Sequence, residues 1–244
     1  MVIDISIPLR FNGPQPNAFG VGAAVSKPLG DTRTGSSVNY EQYSFIPHCS
    51  GTHTECVGHI THERISVRDC LQDVIIPAYL ISVEPLNMAE TGDLEITRRS
   101  VEPSLSEMEA AATGTGTKAL IVRTMPNDDR KLTAEYGEQN IPPYFSPDAM
   151  RLIVGRGFSH LLCDLPSIDR IYDEGKLINH RIFWNVEEGS CEINEATRID
   201  STITELIYVP NEVEDGEYLL NLQIAPFETD CAPSRPVLIH KTER

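Results

Sequence analysis

The amino-acid sequence predicts a single domain of the mixed α/β class. Its 244 residues are enough to enclose one large core, and 40% hydrophobic with 23% charged residues is ordinary for a globular protein. Candidate strands alternate with candidate helices in the middle of the chain and dominate both ends. That order favours one mixed domain over residues 1–244 rather than two separate domains.

The N-terminal third is predicted to be mainly extended chain and loop. Residues 2–9 alternate apolar and polar side chains as a short strand, which Pro8 closes. Residues 12–37 are rich in Gly, Pro, Asn and Ser and predict a long loop. Residues 40–60 look extended, and the apolar residues at 74–84 predict a strand.

The middle of the chain predicts a helix, a turn and a buried strand. Residues 104–112 favour a helix, with Ser104 as N-cap and Glu107 completing a capping box. The Gly- and Thr-rich residues 113–118 follow that helix and enter a strand, so they indicate a turn rather than a phosphate-binding loop. Residues 119–124 are the buried strand.

A second helix and its strand come next, followed by a strand-rich end. Residues 146–156 predict a helix with Ser146 as its cap and Pro147 at its first position. Residues 160–164 predict the strand after it. Three further strands are predicted at residues 203–209, 218–227 and 236–240.

Charge and cysteine spacing exclude several classes of partner. Asp and Glu number 36 against 20 Lys and Arg, and the net charge of −16 repels phosphate backbones and anionic lipid. We therefore expect no nucleic-acid or membrane partner. The start of the chain does not read as a signal peptide. Six widely spaced cysteines without a CxxC pair favour free thiols and a cytoplasmic location.

The segment from residue 49 to 59 is the strongest functional signal. In an extended strand, residues two apart face the same side, so one face carries Cys49, His53, Glu55 and His59. A thiol, imidazoles and a carboxylate are zinc-type ligands, and imidazole with carboxylate also suits manganese. His48 has the opposite parity, and only a bulge would turn it to the same face. Parity therefore favours Cys49 as a ligand, with His48 as the alternative.

This segment resembles the signature of the cyclase family, which includes bacterial kynurenine formamidases: His-x-Gly-Thr-His-x-Asp-x-Pro-x-His. The positions that match in register are Gly51, Thr52, His53 and His59. The positions that depart are Cys49 in place of the first His, Glu55 in place of Asp and Val57 in place of Pro. Blocks at residues 3–9, 146–169 and 225–237 are similar to the family as well, so the resemblance covers nearly the whole chain.

The resemblance implies a fold, an activity and a set of ligands. The fold is the swivelling β/β/α type, and the activity is arylformamidase-like hydrolysis of a C–N bond in an amide or cyclic amide. An isatin-type ring opening is the nearest rival. A non-catalytic metal- or ligand-binding protein on the same scaffold is the alternative from another class. The family also implies a small-molecule substrate and a homo-oligomer, a dimer or larger.

The family's functional residues map onto specific positions of this chain. One metal would be held by His53, Glu55 and either Cys49 or His48. A second would be held by Glu55, His180 and Glu205, with bridging carboxylates. His59 would be the general acid/base. The cofactor is expected to be one or two divalent ions, zinc first and manganese second, that activate water for attack on a carbonyl carbon.

Overall fold

A nine-stranded mixed sheet forms the centre of the protein. The computed structural model describes residues 2–111 and 116–240. The strands of this sheet, numbered along the chain and given in their spatial order, are β1 (Val2–Asp4), β14 (Val237–His240), β12 (Gly216–Asn221), β5 (Ile76–Val83), β8 (Ala119–Thr124), β10 (His160–Cys163), β11 (Thr202–Glu205), β4 (His53–Glu55) and β13 (Cys231–Pro233). The series from β5 to β11 is parallel, and the strands flanking it on both sides are antiparallel.

Smaller elements surround this sheet. Five short strands form a hairpin and a three-stranded sheet: β2 (Val25–Gly30) with β3 (Tyr40–Ser44), and β6 (Leu86–Asn87) with β7 (Leu94–Ile96) and β9 (Tyr144–Phe145). The α-helices of the described residues are α1 (Val67–Cys70), α2 (Arg98–Ala111), α3 (Pro147–Gly155) and α4 (Ile178–Trp184). None of them has the length and apolar character needed to cross a membrane.

The two faces of the sheet carry separate hydrophobic clusters. Leu120 and Val122 of β8 belong to the cluster that packs under α2, α3 and α4. Ala119 and Ile121 belong to the other cluster, with residues of β12 and β14. Every residue of β8 is buried, as expected for a parallel strand that is covered on both faces. The prediction of a mixed α/β domain is confirmed.

Several predicted elements are confirmed and others needed correction. The strands predicted at 74–84, 119–124 and 160–164 and the helix predicted at 146–156 are present, with ends shifted by at most two residues. The loop predicted at 12–37 is wrong in part, because it contains β2. Nearly every residue of the β2–β3 hairpin is exposed, so burial imposes no alternating pattern on its sequence.

The helix predicted at residues 104–112 begins earlier than expected. It starts at Arg98, and Ser104, the predicted N-cap, lies in its interior. Val101 and Leu105 place buried side chains on one face, and their burial outweighs the hydrogen bond that Pro103 cannot donate. Residue 112 and the first half of the predicted turn lie outside the described residues.

Candidate metal centre

Strand β4 brings His53 and Glu55 next to Glu205. β4 lies between β11 and β13 in antiparallel pairing, and His53 is directly opposite Glu205 in the register. Directly opposed residues share a face of the sheet, and Glu55 shares it because it is two residues from His53. The three side chains are buried. Sequence positions 150 residues apart are thus joined by one strand pairing.

The expectation of a regular strand from residue 49 to 59 is wrong. β4 contains only His53–Glu55, and 3-10 helices occupy Pro47–Cys49 before it and Val57–His59 after it. These turns change which side chains face the centre. His48, which strand parity turned away, has its Nε2 3.8 Å from Glu55 Oε2.

Two glycines and a threonine fix the chain around β4. Gly51 has a φ of +70°, which favours glycine. A Cβ at Gly58 would lie 2.3 Å from the carbonyl oxygen of Ile65, so no side chain fits in the turn that carries His59. Thr52 Oγ1 donates to the carbonyl of Leu206 at 2.5 Å and accepts from the amide of Ile7 at 2.6 Å. The strand is therefore anchored on both sides.

The inner group of the centre consists of His53, Glu55 and Glu205. Their ligand atoms all lie within 4.8 Å of one another. His53 Nδ1 is 3.1 Å from the carbonyl oxygen of Gly51, and because a carbonyl only accepts, the proton sits on Nδ1. His53 Nε2 is buried without a hydrogen-bond partner, 3.4 Å from Glu205 Oε2.

His180 joins the inner group from helix α4. Its Nε2 is 3.0 Å from Glu55 Oε1 and 4.0 Å from Glu205 Oε1. Its Nδ1 lies 2.6 Å from Asp169 Oδ2, and that carboxylate also accepts from the backbone amide of Asn179 at 2.8 Å. A histidine held at Nδ1 by a carboxylate and aimed at the centre through Nε2 has the arrangement common in metal-ligating histidines.

The outer group consists of His48, Glu55 and His59, whose ligand atoms also lie within 4.8 Å of one another. The His48 and His59 rings stack with centroids 4.5 Å apart. Asp230 Oδ2 lies 2.9 Å from His48 Nε2 and 3.3 Å from His59 Nδ1. The side chains of His48 and His59 are 26% and 30% exposed, so this end of the centre is open to solvent whereas the inner end is closed.

Cys49 lies near the centre but in neither group. It is buried, and burial together with the nearby Glu205 carboxylate raises the pKa of its thiol to about 11. The thiol is therefore protonated at neutral pH without a metal. Of the two alternatives for the first ligand, the structure brings His48 into a group and leaves Cys49 outside.

The charges of the centre attract a cation. Burial alone would raise the pKa of Glu55, but His59, His180 and His48 outweigh it and hold the pKa at about 2. Burial and the Glu55 carboxylate raise the pKa of Glu205. Burial would lower the pKa of His53, but Glu205 and Glu55 raise it above its ordinary value.

A divalent ion fits the inner group. His53 Nε2 is buried without a hydrogen-bond partner, 3.4 Å from Glu205 Oε2 in a site closed to water, and a cation can bind to both atoms. Imidazole nitrogens and carboxylate oxygens are ligands for zinc and manganese alike. His53, Glu55, Glu205 and His180 are the residues that would hold the ion.

Asp230 is a residue of the centre that sequence reasoning missed. It is separated from His48 by 182 positions and from His59 by 171, and no local pattern marks it. Asp169 is the last residue of the block 146–169 that resembles the family, and no role was predicted for it. For Asp230 the one available signal was its position inside the C-terminal block that resembles the family.

The sequence profile of the family described as "Putative cyclase" matches residues 3–170, which contain β4, both turns around it and Asp169. The chain belongs to this cyclase family. The resemblance that the His53 segment indicated is thereby confirmed. No curated protein matches the chain in sequence.

Solved structures share the fold along nearly the whole chain. One described as a predicted metal-dependent hydrolase from Bacillus stearothermophilus has 17% identity and a TM-score of 0.63, covering 98% of this chain and 97% of that one. An isatin hydrolase bound to the product analogue thioisatinate has 14% identity and a TM-score of 0.68, covering 98% and 92%. Isatin hydrolase A from Labrenzia aggregata, bound to benzyl benzoate, has 15% identity and a TM-score of 0.66, covering 98% and 93%.

Proposed function

We propose that this member of the cyclase family is a metal-dependent hydrolase that cleaves the C–N bond of an amide or cyclic amide, with arylformamidase-like chemistry. The observation that carries the proposal is the inner group, where His53 Nε2 is buried without a hydrogen-bond partner, 3.4 Å from Glu205 Oε2 and beside Glu55. Beside it, the half-buried His59 is reachable from solvent. A closed cation site next to an accessible imidazole suits hydrolysis better than storage of an ion.

Each residue of the centre has a separate task in this proposal. His53, Glu55, Glu205 and His180 would hold the ion, which would lower the pKa of a coordinated water and polarise a carbonyl oxygen. His59 accepts a proton at Nε2 and returns it to the leaving nitrogen. His59 Nε2 lies 3.9 Å from Glu55 Oε2, so the base and the ion site are neighbours.

The geometry supports one ion more strongly than two. In the inner group, His53 Nε2 has no hydrogen-bond partner, and both glutamates lie beside it. A second ion in the outer group would require His48 Nε2, which already donates to Asp230 at 2.9 Å. We propose zinc as the resident ion, with manganese as the alternative.

The test compares metal-free and reloaded protein on defined substrates. Protein stripped with a chelator is reloaded with zinc or with manganese and assayed on formanilide, isatin and an aromatic lactone. We expect C–N cleavage only in the reloaded protein. His59→Ala should lower kcat by about 10²–10⁴-fold, the usual range for a general acid/base, while metal content stays that of the wild type.

His62→Ala is the matched control, because His62 is a nearby histidine with a 72% exposed side chain outside both groups. It should leave kcat unchanged. Equal rates in wild type and His59→Ala would remove the proposed role of His59. A wild-type protein that takes up no divalent ion would contradict the hydrolase itself.

Opening of an isatin-like ring is the second candidate, favoured by the likeness of the fold to isatin hydrolases. The ratio of kcat/KM for isatin to that for formanilide decides between the two candidates. Metal uptake without hydrolysis of any compound would instead favour a non-catalytic metal- or ligand-binding protein. The homo-oligomer and the cytoplasmic location stay predictions, and light scattering of the purified protein tests the first.

A further inference from the structure

Asp230 is held rigidly beside the centre. Its carbonyl oxygen accepts from the amide of Cys56 at 2.9 Å, and the next residue, Cys231, pairs with Glu55 in the β13–β4 ladder. The backbone of Asp230 is therefore fixed relative to the main chain that carries Glu55. These main-chain contacts do not depend on the Asp230 side chain.

A single oxygen of Asp230 contacts both outer histidines. Oδ2 is 2.9 Å from His48 Nε2 and 3.3 Å from His59 Nδ1. An aspartate carboxyl is ionised at neutral pH, and as a carboxylate it can only accept hydrogen bonds. Each contacting nitrogen must then carry a proton.

The two histidines face the same carboxylate oxygen of the centre but in different states. His59 Nε2, 3.9 Å from Glu55 Oε2, is the nitrogen left with a lone pair, because the His59 proton sits on Nδ1. His48 Nε2, 3.8 Å from the same oxygen, is committed as a donor to Asp230. In the stacked pair, the nitrogen without a proton is Nε2 in His59 and Nδ1 in His48.

We propose that Asp230 is a positioning residue that fixes the protons of both imidazoles, so that His59 presents its basic nitrogen to the centre while His48 Nε2 remains a donor to Asp230. The proposal deepens the proposed hydrolase and rests on it for its effect on rate. The effect of Asp230 on the histidine tautomers requires neither an ion nor a substrate. The tautomer assignment is therefore testable without turnover.

The first arm of the test uses metal-free protein at alkaline pH, where imidazoles are neutral. Nitrogen-15 NMR of the ring nitrogens reports which one carries the proton. We expect the Nδ1–H form for His59 in the wild type. In Asp230→Ala it should shift towards the Nε2–H form that free histidine prefers. An unchanged His59 tautomer would overturn the proposal.

The second arm uses reloaded protein and whichever of formanilide or isatin the wild type hydrolyses. Asp230→Ala should lower kcat by about 10–100-fold, the usual effect of losing a residue that orients an active-site histidine. KM and zinc content should stay close to wild type. Asp230→Asn, which keeps an acceptor oxygen, should recover part of the rate. A loss of kcat that follows a loss of zinc or of thermal stability would instead indicate a merely structural role.

Glu228→Gln is the matched control, because Glu228 is an exposed acid two residues earlier that pairs with Arg68. It should change neither the His59 tautomer nor kcat. If the wild type hydrolyses nothing, the proposed function fails while the NMR arm still decides on Asp230. A shifted tautomer with unchanged kcat would restrict Asp230 to a structural role and overturn its place in the reaction.

Discussion

Two buried carboxylate sites at the same edge of the sheet differ in the side chains that pair with their negative charge. Asp164 follows β10, and its oxygens accept from the amide and hydroxyl of Thr124 and from Lys131 Nζ at 2.8–3.0 Å. Glu205 ends β11, one strand further along, and pairs with His53 and His180. Among the described residues, no Lys or Arg forms an ion pair with Glu55 or Glu205.

The difference separates a structural site from a binding site. Lys131 Nζ also donates to the carbonyl and hydroxyl of Thr124 and to Asn127, so the chain itself supplies a fixed cation for Asp164. The inner group instead leaves His53 Nε2 without a partner. A buried carboxylate is costly unless it is paired. The inner group pairs its carboxylates with histidines and not with lysine or arginine, and histidine nitrogens can bind a metal ion.

Glu205→Gln should give the largest effect, because it removes one carboxylate from the inner group without changing the size of the side chain. The stabilisation that an ion gives a hydrolytic transition state is several kcal/mol, so we expect kcat/KM to fall by about 1000-fold or more. Zinc affinity should fall as well, measured by calorimetric titration. Asp164→Asn is the matched control and should leave zinc affinity unchanged in the folded protein. Equal zinc affinity in Glu205→Gln and wild type would contradict the claim that Glu205, unlike Asp164, is part of the zinc site.

Lys131→Met should act on stability and not on the ion. It leaves Asp164 buried without its cation, and losing one partner of a buried ion pair costs about 3–5 kcal/mol. Lys118→Met is the control, because Lys118 is 51% exposed in its pair with Asp73 and such pairs contribute about 0–1 kcal/mol. Urea unfolding of the metal-free proteins measures both. A loss of zinc affinity in folded Lys131→Met would show that the two sites are coupled.

Added zinc should stabilise the wild type by filling the inner group. At a free concentration of about 100 times Kd, linkage gives about 2.7 kcal/mol, or roughly 5–11 °C in Tm for a chain of this size. Thermal unfolding with and without zinc measures the shift. Glu205→Gln should show much less of it, whereas Lys131→Met should keep it. The same shift in all three proteins would indicate that zinc binds elsewhere.

The contrast between the two sites was only partly readable from the sequence. His53, Glu55 and His59 were predicted from their spacing, because a short β4 keeps His53 and Glu55 on one face. The choice of Cys49 over His48 depended on a strand that the 3-10 helix Pro47–Cys49 interrupts. Alternation cannot show such a turn, although Pro47 at its start was a visible signal.

The distant partners were beyond local reasoning. His180 and Glu205 came only from the family resemblance, and Asp230 came from neither spacing nor motif. Contacts between residues more than a hundred positions apart are decided by strand order, here by β4 lying between β11 and β13. That order places strands that are far apart in the sequence next to each other in the sheet. The hydrophobic periodicity of a single segment carries no information about strand order.

A third buried group, His160, gives the smallest predicted effect and sharpens the comparison. Its Nδ1 is 2.8 Å from Thr202 Oγ1, and Asp73, Lys118 and Arg198 are the charged groups that act on it. Burial lowers the pKa of His160 below its ordinary 6.5, against the opposing effect of Asp73.

Because the folded form resists protonation, the unfolded state binds the proton first as pH falls through 6.5, and stability decreases with acidification. His160→Gln should therefore flatten the acid side of the stability curve relative to wild type, measured by urea unfolding of metal-free protein at several pH values. His62→Gln, at an exposed histidine, should leave the slope unchanged. A steeper slope in His160→Gln would mean that Asp73 outweighs burial and raises the pKa of His160, as Glu205 raises the pKa of His53.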